Sequence, residues 1–269
     1  MAPARHTLVT EPASRLATLD VGRLGVGKHH VAGFVEVNVT VARSRIRELR
    51  RDGQPVSFFA WVVKVASLTL EDHPQAHALR SGKHSTLQFE EVDVSVAVER
   101  KLRDARVPLP LLIRRTNEKS ASAIHSEIRA ALMQAINDEG DYVLSGKGPS
   151  TTAMRAYYAL PQWLRLAVMR WICRNPLRCK AMMGTVMITS VGSVARVPGW
   201  ILPRSIHNLS LALGSVVKKP WVVGDRIAAQ DILHLTVLFD HDVIDGAPAA
   251  RIVADLVRRM EAGAGLGTQ

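Results

Sequence analysis

The chain is short of aromatic residues, cysteines and long hydrophobic runs. Aromatic residues make up 5% of its 269 positions and hydrophobic residues 47%, so an aliphatic core must hold together one large domain or two small ones. Its two cysteines, Cys173 and Cys179, make no metal-binding pattern, and we expect a cytoplasmic protein with reduced thiols. No uninterrupted apolar run is long enough to span a bilayer, and the N-terminus lacks the apolar core of a signal peptide.

Acidic residues are missing between Asp141 and Asp225. That stretch holds 11 of the 35 basic residues, and the other 24 balance the 24 acidic ones, so the whole net charge of +11 lies there. Such a field favours an anionic partner, either a phosphorylated cofactor, an anionic membrane or nucleic acid. The basic residues of the stretch are Lys147, Arg155, Arg165, Arg170, Arg174, Arg178, Lys180, Arg196, Arg204, Lys218 and Lys219.

The sequence has no glycine-rich phosphate loop of either common kind. Two histidine pairs, His29-His30 and His73/His77, are weak candidates for metal ligands. Adjacent histidines on extended backbone point apart, and Pro74 disturbs the helix that would align the second pair. We therefore expect no metal site.

Apolar residues recur with the period of strands in some segments and of helices in others. Because these segments mix without βαβ regularity, we predict one α+β domain, or an α/β domain with a mixed sheet. The strands are predicted at 35–39, 92–98, 185–191, 209–213 and 233–240, with a hairpin turn at 222–225. The helices are predicted at 41–51, after a Ser57 cap, from Ser120 to near Gly140, at 163–172 and at 249–260.

Three segments read as irregular structure. Residues 1 to about 13 are polar and lack periodicity, which predicts a flexible start. Pro108 and Pro110 predict an extended or turning link, and residues 143–153 predict a loop.

The segment 155–180 combines an apolar stripe with charges of one sign. We predict an amphipathic basic helix that contacts an anionic partner, and Pro176 breaks its stripe. Three interpretations stay open: a helix on a membrane surface, a lid or wall for an anionic ligand, or an ordinary helix packed on its own domain. The stripe consists of Trp163, Leu164, Ala167, Val168, Trp171 and Ile172.

A strand pattern ends and a helix pattern begins around His241. A histidine at a strand end is held on stiff backbone, as a general base must be. Asp245 could return to the turn and fix its shape, and Gly246 would allow backbone angles or a close approach that a side chain forbids. The alternative is a purely structural role, in which Asp245 is the N-cap of the last helix and Gly246 is an ordinary turn residue.

These residues resemble a known family. Residues 240–247 resemble the D-H-x-x-I/V-D-G-A signature of dihydrolipoamide acyltransferase catalytic domains, and chloramphenicol acetyltransferase shares its H-x-x-x-D-G core. Residues 184–193 resemble the family's G-x-x-x-I-S/T-x-L/I-G segment, and residues 92–98 its V-D-I/V-S/G-V/I-A-V strand. The resemblance implies a chloramphenicol acetyltransferase-like α+β fold, a two-layer sandwich with a mixed sheet.

The resemblance also implies a division of the chain. Residues 28–262 would be the catalytic domain, with a basic helical insertion at about 143–183. Residues 1–27 would be a flexible or accessory segment and residues 263–269 a tail. Since there is no room for a lipoyl domain before residue 28, we expect a stand-alone form.

The chemistry implied by the resemblance is thioester acyl transfer. His241 would take the proton from the thiol of coenzyme A or of dihydrolipoamide, and the hydroxyl of Thr189, with Ser190 as the fallback, would stabilise the oxyanion. Asp245 and Gly246 would shape the catalytic turn.

The implied partners follow from the same resemblance. Coenzyme A would be a substrate, a lipoyl group would come only from another protein or from 2-oxoacid dehydrogenase components, and the assembly would be a homotrimer with sites shared between subunits. No metal and no nucleic acid are expected, and contact with an anionic membrane stays open. The alternatives are O- or N-acylation of a small molecule and a non-catalytic trimeric scaffold.

Overall fold

Helices and strands follow one another irregularly along the chain. The computed structural model describes residues 13–102, 105–134, 151–191 and 198–267. The helices are α1 (Ala13–Gly25), α2 (Thr40–Arg51), α3 (Phe58–Asp72), α4 (Ala121–Met133), α5 (Thr151–Ala159), α6 (Gln162–Cys173), α7 (Pro176–Met183) and α8 (Gly246–Glu261), with a 3-10 turn at Pro74–His77. The strands are β1 (His30–Asn38), β2 (Leu79–Ser81), β3 (Ser85–Leu87), β4 (Val94–Leu102), β5 (Ala105–Ile113), β6 (Val186–Ser190), β7 (Leu209–Val223) and β8 (Arg226–Asp240).

Six strands form one mixed sheet in the order β1-β8-β7-β6-β4-β5. Strand β6 is parallel to both of its neighbours, β4 and β7, whereas the other pairs are antiparallel. Strands β2 and β3 make a separate small hairpin. This arrangement confirms the predicted α+β fold with a mixed sheet.

The core lies between one face of the sheet and helices α2, α3, α4 and α8. It is mostly aliphatic, as the shortage of aromatic residues requires, and α3 contributes an almost continuous buried surface. Ser57 caps α3 and Ser120 caps α4, each accepting a hydrogen bond from the backbone three residues on. Trp61 on α3 donates from Nε1 to the carbonyl of Ala264 at 2.8 Å, which fastens the described part of the C-terminal tail to the core.

Of the extended or turning link predicted at Pro108 and Pro110, the extended backbone is confirmed, but the segment is a strand of the sheet and not a link. Both prolines lie within β5, an edge strand of the sheet whose partner is β4, opposite Glu99 and Ala97. Proline lacks an N–H donor, and a strand with one neighbour can carry it at positions whose N–H would face outward. The extended backbone that proline favours is therefore used as strand.

Helices occupy parts of the chain that the sequence predicts differently. Within the segment 1–27, predicted to be flexible or accessory, residues 13–25 form α1, and residues 1–12 lie outside the described residues. The predicted single helix at 155–180 is three helices, because the chain turns at Pro161 and again at Asn175, which caps α7. Of the predicted loop 143–153, residues 151–153 begin α5 and the rest lie outside the described residues. The helix predicted from Ser120 to near Gly140 ends at Met133, with Gln134 as its C-cap, and Gly140 lies outside the described residues.

Candidate active site

The turn after β8 is shaped by Asp240. Its carbonyl accepts hydrogen bonds from the backbone N–H groups of Val243 at 2.9 Å and Ile244 at 3.2 Å, and its side chain accepts one from the N–H of Asp242 at 3.2 Å. The side chain of Asp240 is buried, so this carboxylate has exchanged water for partners within the chain. The turn is therefore held from inside the fold.

A lysine and an asparagine complete the support of this turn. Lys28 Nζ lies 2.9 Å from Asp240 Oδ2 and 2.6 Å from Asn208 Oδ1. Asn208 in turn donates from Nδ2 to the carbonyl of Ala78 at 2.7 Å. The network joins the residues that precede β1 and β7 to the end of β8. Sequence analysis missed Lys28 and Asn208 as supporting residues; the available signal was an aspartate ending an apolar strand, which needs a cation when buried.

His241 is fixed through its backbone and free at its side chain. Its N–H donates to the carbonyl of His29 at 3.0 Å, while its imidazole is 50% exposed. The imidazole Nδ1 lies 3.8 Å from Asp245 Oδ1, which is beyond hydrogen-bonding distance. A ring held this way can meet a substrate without first breaking a contact inside the chain.

An ion pair beside His241 ties the turn to the residue that precedes β1. His29 Nδ1 lies 2.9 Å from Asp242 Oδ1, and this hydrogen bond raises the pKa of His29 and lowers the pKa of Asp242. Arg80 donates from Nη1 to the carbonyl of Asp242 at 3.1 Å. The pair is exposed, so its effect is on the shape of the turn more than on stability.

The roles predicted for Asp245 and Gly246 need correction. Asp245 occupies the N-cap position of α8, but its side chain makes no capping hydrogen bond and is 84% exposed, so Asp240 fixes the turn instead. Gly246 does not have a positive φ, and a Cβ built on it meets nothing within 4 Å. Neither backbone strain nor close packing inside the chain requires glycine at that position.

Thr189 and Ser190 end strand β6. Val186 and Ile188 belong to the core, so by the alternation of a strand Thr189 points to the opposite face of the sheet and Ser190 to the core side. Both residues are partly exposed. The hydroxyl of Thr189 has no hydrogen-bond partner among the described residues, which leaves it free to bind another group.

The register of the sheet keeps His241 and Thr189 of one chain apart. Thr189 pairs with Ala212 on β7, and Ala212 pairs with Thr236 on β8. Four residues of strand from Thr236 to Asp240 cover about 13 Å, and two strand spacings add about 10 Å across the sheet. Both residues lie at the C-terminal ends of their strands, but β6 and β8 run in opposite directions, so the two ends are at opposite edges of the sheet. The predicted base and the predicted hydroxyl are therefore too far apart to touch one acyl group.

Comparison with known protein families shows where this chain belongs. The model of the 2-oxoacid dehydrogenases acyltransferase (catalytic domain) family matches residues 28–139 and 184–266, well over half of the chain. The chain belongs to this acyltransferase family. The dihydrolipoyllysine-residue acetyltransferase component of the Zymomonas mobilis pyruvate dehydrogenase complex is 26% identical over 208 residues, which are 77% of this chain and 38% of that protein. The chain spans well under half the length of the curated relatives it matches.

Solved structures confirm the fold expected of this acyltransferase family. A probable dihydrolipoamide acetyltransferase from Listeria monocytogenes superimposes with a TM-score of 0.69 at 19% identity, covering 98% of each chain. The Azotobacter vinelandii dihydrolipoamide acetyltransferase superimposes with a TM-score of 0.66 at 17% identity, covering 97% of each chain. The Azotobacter structure belongs to a study of the role of one serine, one histidine and one asparagine in that enzyme's catalytic mechanism.

Three residues of the basic stretch in this acyltransferase-family chain are already paired. Arg165 Nε lies 2.7 Å from Asp20 Oδ2, Lys180 Nζ lies 2.6 Å from Glu91 Oε2, and Lys219 pairs with Glu36. All three acids lie outside the stretch, which is why the sequence alone could not assign them. Arg165, one of the residues predicted to meet an anionic partner, is buried and unavailable.

The histidine pairs considered as metal ligands go to separate partners. His29 contacts Asp242, His30 Nε2 lies 2.9 Å from the carbonyl of His207, and His77 Nδ1 lies 2.9 Å from Thr185 Oγ1. His73 Nε2 lies 3.3 Å from Asp255. The described part of the chain contains no group of three or more side chains placed to hold a metal ion. No described helix is long and apolar enough to cross a membrane.

Proposed function

We propose that this chain transfers an acyl group between coenzyme A and a thiol acceptor of the dihydrolipoyl kind. Membership of the acyltransferase family supports the reaction class. The observation that carries the mechanism is the half-exposed imidazole of His241 on a turn held by Asp240 and Lys28. A general base needs both a fixed position and access to its substrate.

The reaction runs through one tetrahedral intermediate. His241 removes the proton from the acceptor thiol, and the resulting thiolate attacks the acyl carbonyl carbon of the acyl-CoA. A C–S bond forms, the carbonyl π electrons move to oxygen, and the hydroxyl of Thr189 donates to that oxyanion. The carbonyl re-forms as the C–S bond to coenzyme A breaks, and the departing thiolate takes the proton back from His241.

Asp245 serves as a positioning residue in this proposal. Its carboxylate is 3.8 Å from His241 Nδ1, and a small rotation would let it accept a hydrogen bond and favour the imidazolium. In the Azotobacter enzyme the histidine and asparagine studied for catalysis are four positions apart, as His241 and Asp245 are here. Thr189 takes the place of the serine as the hydroxyl donor, and Ser190 is the alternative donor.

The separation of His241 from Thr189 supports a site made by two subunits. If both act on one acyl group, His241 must come from one chain and Thr189 from another, as in a closed homotrimer. The β7–β8 hairpin supplies a surface for such an assembly. Beyond Ile232 it has no neighbouring strand within the described chain, and its tip exposes Val222, Val223 and Ile227. A lone two-stranded ribbon with an apolar tip favours contact with another subunit.

The remaining assignments are part of the same proposal. Residues 28–262 form the catalytic domain and residues 143–183 an insertion, which is supported by a family match that stops at residue 139 and resumes at residue 184. A lipoyl-bearing protein or the components of a 2-oxoacid dehydrogenase complex would bring the acceptor thiol. The two free thiols, Cys173 and Cys179, support a reducing cytoplasm as the setting.

Complementation between two inactive variants tests the shared site. His241→Ala and Thr189→Ala are purified separately, then unfolded and refolded together, and the conversion of acetyl-CoA to coenzyme A is followed by chromatography with and without dihydrolipoamide. Random assembly gives roughly a quarter of the sites both parental residues, so activity should return to about that fraction. The controls are each variant refolded alone and the two folded variants mixed without unfolding.

The outcomes separate the parts of the proposal. If His241→Ala transfers acyl groups as fast as the parent protein, the mechanism is wrong. A trimer by light scattering whose refolded mixture stays inactive would overturn the shared site. A monomer with full activity would show that the two residues do not act together.

A further inference from the structure

The outer surface of helices α6 and α7 has an unusual composition. Its exposed positions on α6 recur at helical spacing and therefore form one stripe. The α7 positions continue it. We call this surface the Trp-Arg face; it consists of Trp163, Ala167, Arg170, Trp171, Arg174, Leu177, Arg178, Ala181 and Met182.

The structure divides the apolar stripe of the sequence in two. Leu164, Val168 and Ile172 turn towards the body of the protein and are half-buried. By contrast, Trp163 is 69% exposed, Trp171 60% and Leu177 62%. An amphipathic helix that simply packed on its own domain would bury its largest apolar side chains, and here the two tryptophans face water.

All charges on the Trp-Arg face are positive. Arg170, Arg174 and Arg178 are exposed, and within the described chain none of them has an ion-pair partner. The guanidinium of Arg178 stacks on the ring of Trp171 at 5.2 Å from the centroid, which joins the surfaces of the two helices. Apart from Asn175, which caps α7 between the helices, the exposed positions from Trp163 to Met182 carry no hydroxyl, amide or carboxylate group.

The opposite side of the same helices is anchored. Arg165 pairs with Asp20 on α1, and Lys180 pairs with Glu91 just before β4. Arg114 donates to the carbonyls of Lys180 and Ala181. The Trp-Arg face is therefore held outward by contacts on the inner side, and it shares no residue with the His241 turn or with Thr189.

We infer that the Trp-Arg face docks on the surface of an anionic membrane. Tryptophan and arginine are the side chains suited to the boundary between lipid headgroups and acyl chains, and arginine attracts anionic headgroups. A protein partner would need directional polar contacts, about one hydrogen bond per 100–200 Å² of interface, and the side chains of this face offer only guanidinium and indole N–H donors and no oxygen acceptor. A second copy of the chain would bring its own net charge of +11 towards the face, which disfavours self-association there.

Vesicle flotation with the full-length protein tests the inference. Unilamellar phosphatidylcholine vesicles with and without phosphatidylserine are compared, and tryptophan emission is recorded in parallel. The protein should float with the anionic vesicles and shift its emission to the blue, because Trp163 and Trp171 leave water. Binding to phosphatidylcholine alone should be at least about tenfold weaker, since three arginines lose their attraction.

Two variants and a matched control identify the surface. Arg170→Gln/Arg174→Gln/Arg178→Gln should weaken anionic-vesicle binding at least about tenfold, and Trp163→Ser/Trp171→Ser should do the same. The control, Arg47→Gln/Arg50→Gln/Arg51→Gln, removes the same charge from exposed positions of α2 and should bind like the parent.

Three results would overturn the inference. The first is a parent that stays unbound on anionic vesicles. The second is an equal loss of binding in the α2 control, which would mean that net charge alone drives the interaction. The third is a change of oligomeric state in Trp163→Ser/Trp171→Ser by light scattering, which would make the face a subunit contact. None of these readouts depends on acyl transfer, so failure of the proposed reaction would leave the inference intact.

Discussion

Asp20 on α1 and Arg165 on α6 form a buried, bidentate ion pair across 145 positions of sequence. Arg165 Nε lies 2.7 Å from Asp20 Oδ2 and Nη2 lies 3.0 Å from Asp20 Oδ1. The hydrogen bond to Asp20 raises the pKa of Arg165. Both residues lie outside the ranges that the family model matches, so the pair joins two segments that the model does not cover.

We predict that breaking this pair destabilises the protein strongly. Arg165→Met leaves the carboxylate of Asp20 buried without a cation and should lower the free energy of unfolding by about 3–5 kcal/mol. The double variant Asp20→Leu/Arg165→Met removes both charges and should recover much of that loss. Urea unfolding of Asp20→Leu, Arg165→Met and the double variant measures the coupling energy between the two residues. Strictly additive changes in the free energy of unfolding would contradict the predicted coupling.

The two aspartates of the turn after β8, Asp240 and Asp245, should behave differently. Asp240→Ala removes a buried carboxylate that binds Lys28 and the N–H of Asp242, and it should lower the free energy of unfolding by about 2–3 kcal/mol. Asp245→Ala should change the free energy of unfolding by less than about 0.5 kcal/mol, because the Asp245 side chain is exposed and makes no capping hydrogen bond. The same variant should nevertheless slow acyl transfer. Thermal or urea unfolding alongside turnover makes the comparison. A larger loss of stability in Asp245→Ala would refute this assignment.

Stability should fall in mild acid because of two buried histidines. Burial lowers the pKa of His77 and the pKa of His207 to about 4 each. An unfolded histidine titrates near 6.5, so between about pH 6.5 and pH 4 the unfolded chain binds protons that the folded chain does not. The stabilisation is complete above pH 6.5 and declines as pH falls through that window, by up to about 1.4 kcal/mol per unit for each histidine.

Unfolding free energies between pH 4 and pH 7 test this dependence. His77→Gln should reduce the slope, because a histidine that burial keeps neutral in the folded chain is gone. Equal slopes in the parent and His77→Gln would exclude His77 as a source.

Gly246→Ala separates a folding role from a role in function. Gly246 does not have a positive φ, and a Cβ built on it meets no atom within 4 Å. The free energy of unfolding of Gly246→Ala should therefore stay within about 0.5 kcal/mol of the parent's. If a substrate or a second subunit approaches the start of α8, acyl transfer will fall while stability holds. Unfolding and turnover of the variant are compared, and a marked loss of stability would contradict the open surroundings.

Periodicity predicted much of the fold because local burial controls it. The alternation at 92–98 and 233–240 became strands β4 and β8, and the hairpin predicted at 222–225 lies between β7 and β8. The caps at Ser57 and Ser120 were also readable, since a cap is a contact between residues three apart. Pro108 and Pro110 misled the prediction because the position of a strand at the sheet edge is not local information.

The site divides in the same way. The sequence by itself determined the family and marked His241, Asp245 and Thr189, because signature residues lie close together along the chain. Only the tertiary structure decided that Lys28 and Asn208 support the turn and that Arg165 forms an ion pair with Asp20. The distance between His241 and Thr189 also follows only from the register of the sheet. Those relations join residues about 20 to 210 positions apart, and the energy of an ion pair or a strand register depends on distance in space.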